Sequence, residues 1–262
     1  MLLLTGKLKY LTGDNVKVLV ALTYYRPHVS GLTIYVERLA RALVERGHQV
    51  TVLTSRYDSK LASNEVLDGV KVVRVPVAMR VSKGVIMPTI GFAASKLVYS
   101  HDVLSIHLPQ LDASGIALRA RIMGKPSILT YHSDLLLPRT IFNRLVNLLV
   151  DASNHVAARL ADAICAYTSD FAISSPLLSR YLSKVHYILP PVAVPDVDDE
   201  SVERWAKLHG VTSNYPIIGV ASRLAADKGI EFLLDALPKL LEVYPNLKVI
   251  HAGPINQVIG EA

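Results

Sequence analysis

Short, near-continuous apolar runs alternate along this chain with longer segments whose apolar residues recur every three or four positions. The runs have the length and β-branched content of buried strands, and the spaced segments have the period of one helical stripe. Strands are predicted at 16–22, 49–54, 70–76, 103–106, 127–131, 161–166 and 185–189. Between them, helices are predicted over 32–45, 88–99, 112–123, 140–160 and 169–182, with Pro176 inside the last. The first helix carries Ile34, Val36, Leu39, Ala40, Leu43 and Val44 on one stripe and ends at Arg46-Gly47-His48, a good stop signal. Strictly alternating strands and helices imply a parallel, doubly wound sheet of the Rossmann-like α/β class.

The alternation breaks at Pro190-Pro191, Pro195 and the acidic run Asp196 to Glu200. Residues 1–15 therefore read as a lead-in, 16–190 as an amino-terminal domain, 191–200 as a linker and 201–262 as the start of a second domain. That start holds a short helix at 201–209, a strand at 216–221, a helix at 230–243 and a strand at 247–252. One βαβ unit cannot cover both faces of its own sheet. The second domain is accordingly expected to be incomplete in these 262 residues, and to lean on the first domain, a partner chain or further polypeptide.

Composition narrows the class. Hydrophobic residues make up 51% of the chain, enough for a large core. The net charge of +6 comes from dispersed Lys and Arg with no run and no interleaved aromatics, which argues against nucleic acid as partner. Nucleotide phosphates and an anionic membrane face remain open as anionic partners. The lone Cys165 sits in an apolar stretch, reads as a small buried residue, and fits a reducing, cytoplasmic compartment. No stretch approaches the roughly 20 apolar residues of a membrane span.

Three loops could carry chemistry. Tyr24 to Leu32 joins the first strand to the first helix, and there His28, Ser30 and Gly31 would lie at the ligand edge of the sheet. Just past the strand at 127–131 stand His132 and Asp134, and His107 is placed similarly near the end of 103–106. A histidine there can bond a substrate hydroxyl or phosphate. The third loop, Ser222 to Gly229, reads S-R-L-A-A-D-K-G and puts Arg223 and Lys228 beside a helix start, a place suited to a diphosphate. Dinucleotide, phosphate-loop, zinc and nucleophile-elbow motifs are absent from the sequence, and no metal site is expected.

Taken in order, these segments resemble a family. Ser30-Gly31, Val36 to Leu43, Arg46 to Thr54, Gly124-Lys125-Pro126 through His132, Tyr167-Thr168-Ser169, Ser222-Arg223-Leu224 and Asp227-Lys228-Gly229 are similar to the signature of family 4 retaining glycosyltransferases of GT-B architecture. The resemblance implies two facing Rossmann-like domains and transfer of a sugar from a nucleotide-diphosphate sugar to a lipid or saccharide acceptor, with no metal and no other cofactor. It implies catalytic roles for His132, Arg223 and Lys228. Ser30, Gly31, Arg223 and Lys228 would bind the donor diphosphate, and His28, His107 and Asp134 would lie on the acceptor side. The chain departs from the pattern at Ser30, where many members have glycine, and at Ile188 to Val192, where many have Pro-Asn-Gly. It also lacks the later Glu-x7-Glu segment, so the chain alone is expected to be a truncated, inactive form. The alternative is a non-catalytic acceptor-binding or membrane-docking half that works with a partner chain. Residues 88–99 and 140–159 would then rest on an anionic surface at the inner membrane face through Lys96, Arg139, Arg144 and Arg159.

Overall fold

A computed structural model of the chain describes residues 15–81, 84–135, 140–192, 194, 196–211, 216–224 and 228–253. It divides into two compact units, 1–191 and 192–262. The lead-in up to residue 14, Arg139, and Asp227 of the S-R-L-A-A-D-K-G loop lie outside the described residues.

In the first unit, β1 (Lys17–Ala21) leads through a loop to α1 (Gly31–Glu45) and β2 (Gln49–Arg56). Two strands then form a hairpin, β3 (Asn64–Leu67) and β4 (Val70–Pro76). A small antiparallel pair, β5 (Met79–Val81) and β6 (Gly84–Ile86), precedes α2 (Ile90–Ser100). Regular alternation follows: β7 (Val103–Leu108), α3 (Ala113–Ile122), β8 (Ser127–Tyr131), α4 (Ile141–Leu160), β9 (Ala163–Ala166), α5 (Ser169–Ser174) and β10 (Val185–Tyr187).

Eight strands make one sheet in the order β10-β9-β8-β7-β1-β2-β4-β3, parallel except for β3. Strand order reverses between β1 and β7, so ligands are expected beyond the carboxyl ends of those two strands. Both sheet faces are covered. Leu19, Leu53, Leu104, Ile106 and Leu129 pack on one side against Ala94, Val98, Ile116, Ala117 and Ala157 of α2, α3 and α4. On the other, Val20, Leu22, Val52 and Val72 meet Tyr35, Val36 and Ala40 of α1. Each large side chain fully buried this way contributes about 1.5–3 kcal/mol.

Three differences from the sequence-based reading have physical causes. The strands β3, β5 and β6 were not expected. Yet Asp68 (φ 49°) and Gly69 (φ 79°) form the two-residue turn between Leu67 and Val70, and Asp-Gly is the residue pair such a turn favours. The helix expected over 169–182 stops at Ser174, because Pro176 drives Ser175 to an extended conformation (φ −70°, ψ 128°). Short 3-10 turns at Leu178–Arg180 and Leu182–Lys184 carry the chain onward. Cys165 is only partly covered rather than buried, though desolvation still pushes its thiol up to about 11.

The second unit holds α6 (Asp199–Leu208), β11 (Ile217–Ala221), α7 (Ile230–Val243) and β12 (Lys248–Ala252). Asp198 caps α6 by accepting from Ser201 N at 2.7 Å. The strands β11 and β12 pair in parallel as a two-stranded sheet. None of the described residues here is buried, so the buried strand expected at 216–221 is instead half-exposed to exposed.

Candidate active site at the sheet's switch point

Local sequence explains how the first loop is held. Ser30 is the N-cap of α1: its Oγ accepts from Thr33 N at 3.2 Å and contacts Thr33 Oγ1 at 3.0 Å. No acidic residue lies in the first turn, so the positive end of the helix dipole is not offset there. Gly31 opens the helix, and a Cβ built on it meets nothing within 4 Å. The helix start therefore faces open space, as phosphate approach would need. His28 stacks on Tyr24 with ring centroids 4.9 Å apart, and its Nδ1 lies 3.4 Å from Thr33 Oγ1.

Behind this loop, the buried Arg74 of β4 anchors the backbone. Its guanidinium donates to Arg26 O at 2.7 Å and Ala62 O at 3.1 Å, and pairs with Glu65 of β3 at 2.5 Å. Arg26 bridges in turn to Glu37 at 3.3 Å and Asp68 at 2.6 Å.

Because β7, β8 and β9 are consecutive neighbours, residues at their carboxyl ends meet. His107 Nδ1 lies 2.9 Å from His132 Nε2, and the rings stack at 28°. His107 Nε2 lies 3.1 Å from Ser105 Oγ. On the other side, His132 Nδ1 bonds the Tyr167 hydroxyl. Tyr35, one turn beyond Gly31, sets its ring edge-on to His132 at 4.9 Å and 87°. Burial lowers the pKa of His132 to about 4. His107 is held well below its ordinary value by complete burial and by His132. Desolvation raises Tyr167 to about 12. All three are neutral near pH 7.

Asp134 is turned elsewhere. Its Oδ1 accepts from Tyr131 Oη and Ser175 Oγ, each at 2.8 Å, tying the loop after β8 to the segment after α5. Of the residues singled out in the sequence, the fold gathers His28, Ser30, Gly31, His107 and His132 at one edge of the first unit. Tyr35 and Tyr167 join them without having been singled out as site residues. The structural signal for Tyr167 was its place just past a strand end, the same position as His132.

Arg223 and Lys228 lie in the second unit, between β11 and α7. Gly229 caps α7 in the left-handed region (φ 64°). Gly253 approaches the same loop so closely that a Cβ there would collide with Ser222 O. Among the described residues, no cluster of His, Cys, Asp and Glu is arranged to hold a metal ion.

A doubly wound sheet of eight strands with its polar loops gathered at the switch point is similar to GT-B glycosyltransferases. The structure of Anabaena HepE in complex with UDP and glucose superposes with a TM-score of 0.62 at 17% identity, covering 90% of this chain and 61% of that one. The chain belongs to the Glycosyl transferase 4-like domain family, which matches residues 30–173. It is 25% identical over 244 residues to a human phosphatidylinositol N-acetylglucosaminyltransferase subunit, covering 88% of this chain and 46% of that protein. To an uncharacterized glycosyltransferase of Methanocaldococcus jannaschii it is 28% identical over 260 residues, covering 90% and 63%. The chain thus spans about half the length of the phosphatidylinositol N-acetylglucosaminyltransferase subunits it matches.

Proposed function

We propose that this chain carries the acceptor-side domain, and the first part of the donor-side domain, of a retaining glycosyltransferase. The enzyme moves a sugar from a nucleotide-diphosphate sugar to a lipid or saccharide acceptor. The observation that carries this reading is the packing of Tyr35, one turn into α1, against the His107–His132 pair at the carboxyl ends of β7 and β8, in a chain that belongs to a glycosyltransferase family. Ser30 and Gly31 border the diphosphate, and His132 lies beside the transferred sugar. Arg223 and Lys228 hold the diphosphate as negative charge grows on it in the transition state, a role that needs no metal.

The exposed apolar surface of the second unit, with Phe232 74% and Val243 67% exposed, supports a donor domain covered by further polypeptide in the working enzyme, in the same chain or another. The names of two relatives point to N-acetylglucosamine and an inositol lipid as the first substrates to try. Lys228→Ala in the active enzyme is expected to lower kcat about 10²-fold, the usual cost of losing one group that stabilises developing charge. A steady-state assay showing less than a threefold loss would remove Lys228 from this role.

A second reading concerns location, and the outward face of α4 favours it. Ile141, Phe142, Leu145, Leu148, Leu149 and Val156 are each 47–88% exposed along that helix. A continuous apolar stripe of this size marks a contact surface. Arg144 and Arg159 flank it, with Lys96 exposed on α2 and Arg121 on α3, against one exposed acid on α4, Asp151. That balance fits an anionic membrane, met by a cytoplasmic protein lying on the inner face. Leu145→Glu with Leu148→Glu should abolish flotation with phosphatidylserine vesicles. Unchanged flotation, or equal binding to neutral vesicles, counts against it.

A further inference from the structure

Four polar side chains from three adjacent strands form one hydrogen-bonded line: Ser105, His107, His132 and Tyr167. Both ring nitrogens of each histidine are engaged within it. A neutral imidazole has one donor and one acceptor nitrogen, so the line has only two self-consistent directions. In one, every proton points from Tyr167 toward Ser105; in the other, every proton points back. A phenol is the better donor and an unprotonated imidazole nitrogen the better acceptor, which selects the first. The Ser105 hydroxyl then accepts at the far end.

The surroundings keep the line neutral. Packed against His132 are His107 from β7, Tyr35 from α1 and Tyr167 from the end of β9, and His107 in turn contacts Ser105. Cys165 of β9 acts on Tyr35. No Asp, Glu, Lys or Arg is among these groups.

We propose that Tyr167 is a positioning residue for this site: its hydroxyl donates to His132 Nδ1 and thereby fixes the ring plane and the Nε2–H tautomer of both histidines. It does not itself need to touch substrate. Its effect on turnover rests on the role given above to His132, whereas its effect on the tautomers does not.

The test is nitrogen-15 NMR on the 262-residue chain with labelled histidine. At pH 7 His107 and His132 should both show the Nε2–H pattern. Tyr167→Phe keeps the ring and removes one oxygen. It should release His132 to a mixture of tautomers and raise its titration midpoint by more than half a pH unit, since a donor to the neutral ring is lost. Tyr35→Phe, which retains the edge contact but cannot donate, should leave both tautomers unchanged and serves as the folding control. An Nδ1–H pattern in the wild type, or a Tyr167→Phe spectrum identical to wild type, would overturn the proposal. In the active enzyme Tyr167→Phe should lower kcat about tenfold with KM within twofold, and shift the acid limb of the pH profile upward. A change in KM alone would assign Tyr167 to binding and overturn the positioning role. Whether the unsubstituted enzyme transfers sugar is a separate result, and its failure would touch the proposed function only.

Discussion

The chain contains two strand–loop–helix units with nearly the same pattern and opposite fates. β1 is buried at Val18 to Ala21, flanked in the sheet by β2 and β7 and packed on both faces. β11 carries an equally apolar run, Ile217 to Ala221, but among the described residues it pairs with β12 alone and has no buried residue. The lesson is that an apolar run specifies a strand, while neighbours specify its burial. The loops differ too. The first begins its helix with a glycine in ordinary backbone, the second with Gly229 at φ 64° and Phe232 only 3.1 Å from where a Cβ would sit.

The sharpest way to break this comparison is to cut one large apolar side chain back to alanine on each side. Ile106→Ala empties a fully buried position between the helix layer and the sheet, and should cost about 2–5 kcal/mol. Phe232→Ala removes a side chain that is 74% exposed and should stay within about 0.5 kcal/mol. The two units can be followed separately in urea. Trp205, the single tryptophan, lies in α6 and reports the second unit by fluorescence, while near-ultraviolet dichroism of the buried tyrosines reports the first. Equal losses at both positions would mean that the second unit is packed as tightly as the first.

Acid should separate the units next. The folded first unit holds His132 near pKa 4, against about 6.5 in an unfolded chain. The unfolded state therefore binds the extra proton, and stability is fully present above about pH 6.5 and lost as pH falls toward 4. For His132 alone this is worth ~3 kcal/mol, and His107 acts in the same direction. Dichroism midpoints measured at pH 7 and pH 5 should fall with acid; midpoints that hold steady would contradict neutral burial of the pair.

The smallest effect is the most specific. Gly31→Ala meets no atom and should leave stability within about 1 kcal/mol, on the stabilising side, while weakening diphosphate binding. Gly229→Ala should cost about 1–2 kcal/mol from left-handed strain alone. Thermal melts of the two variants, with and without UDP, distinguish a glycine kept for a ligand from one kept for the backbone.

Much of the fold was legible in one dimension because strand runs such as Ile128 with Leu129 in β8, and helical stripes such as Val36 with Ala40 in α1, follow fixed patterns. The β3–β4 hairpin was missed although Asp68-Gly69 announces it, since Asn64 to Leu67 alternates only weakly at an exposed edge. The site was legible residue by residue but not as a constellation. Positions 35, 107, 132 and 167 become neighbours only through the strand order β9-β8-β7-β1, which no spacing along the chain encodes. Ser30 had a role beyond the one its loop position suggested: standing just before the helix start, it satisfies a backbone N–H that would otherwise go unbonded.

The grip of Arg74 has a consequence for redesign. It grasps the loops at Arg26 and Ala62 by their main-chain oxygens, so the side chain at position 62 takes no part in the hold. Position 62 can be varied in a library without unfastening the loop. The first unit can thus offer varied loop surfaces from one fixed frame, so long as the guanidinium beneath them is left alone.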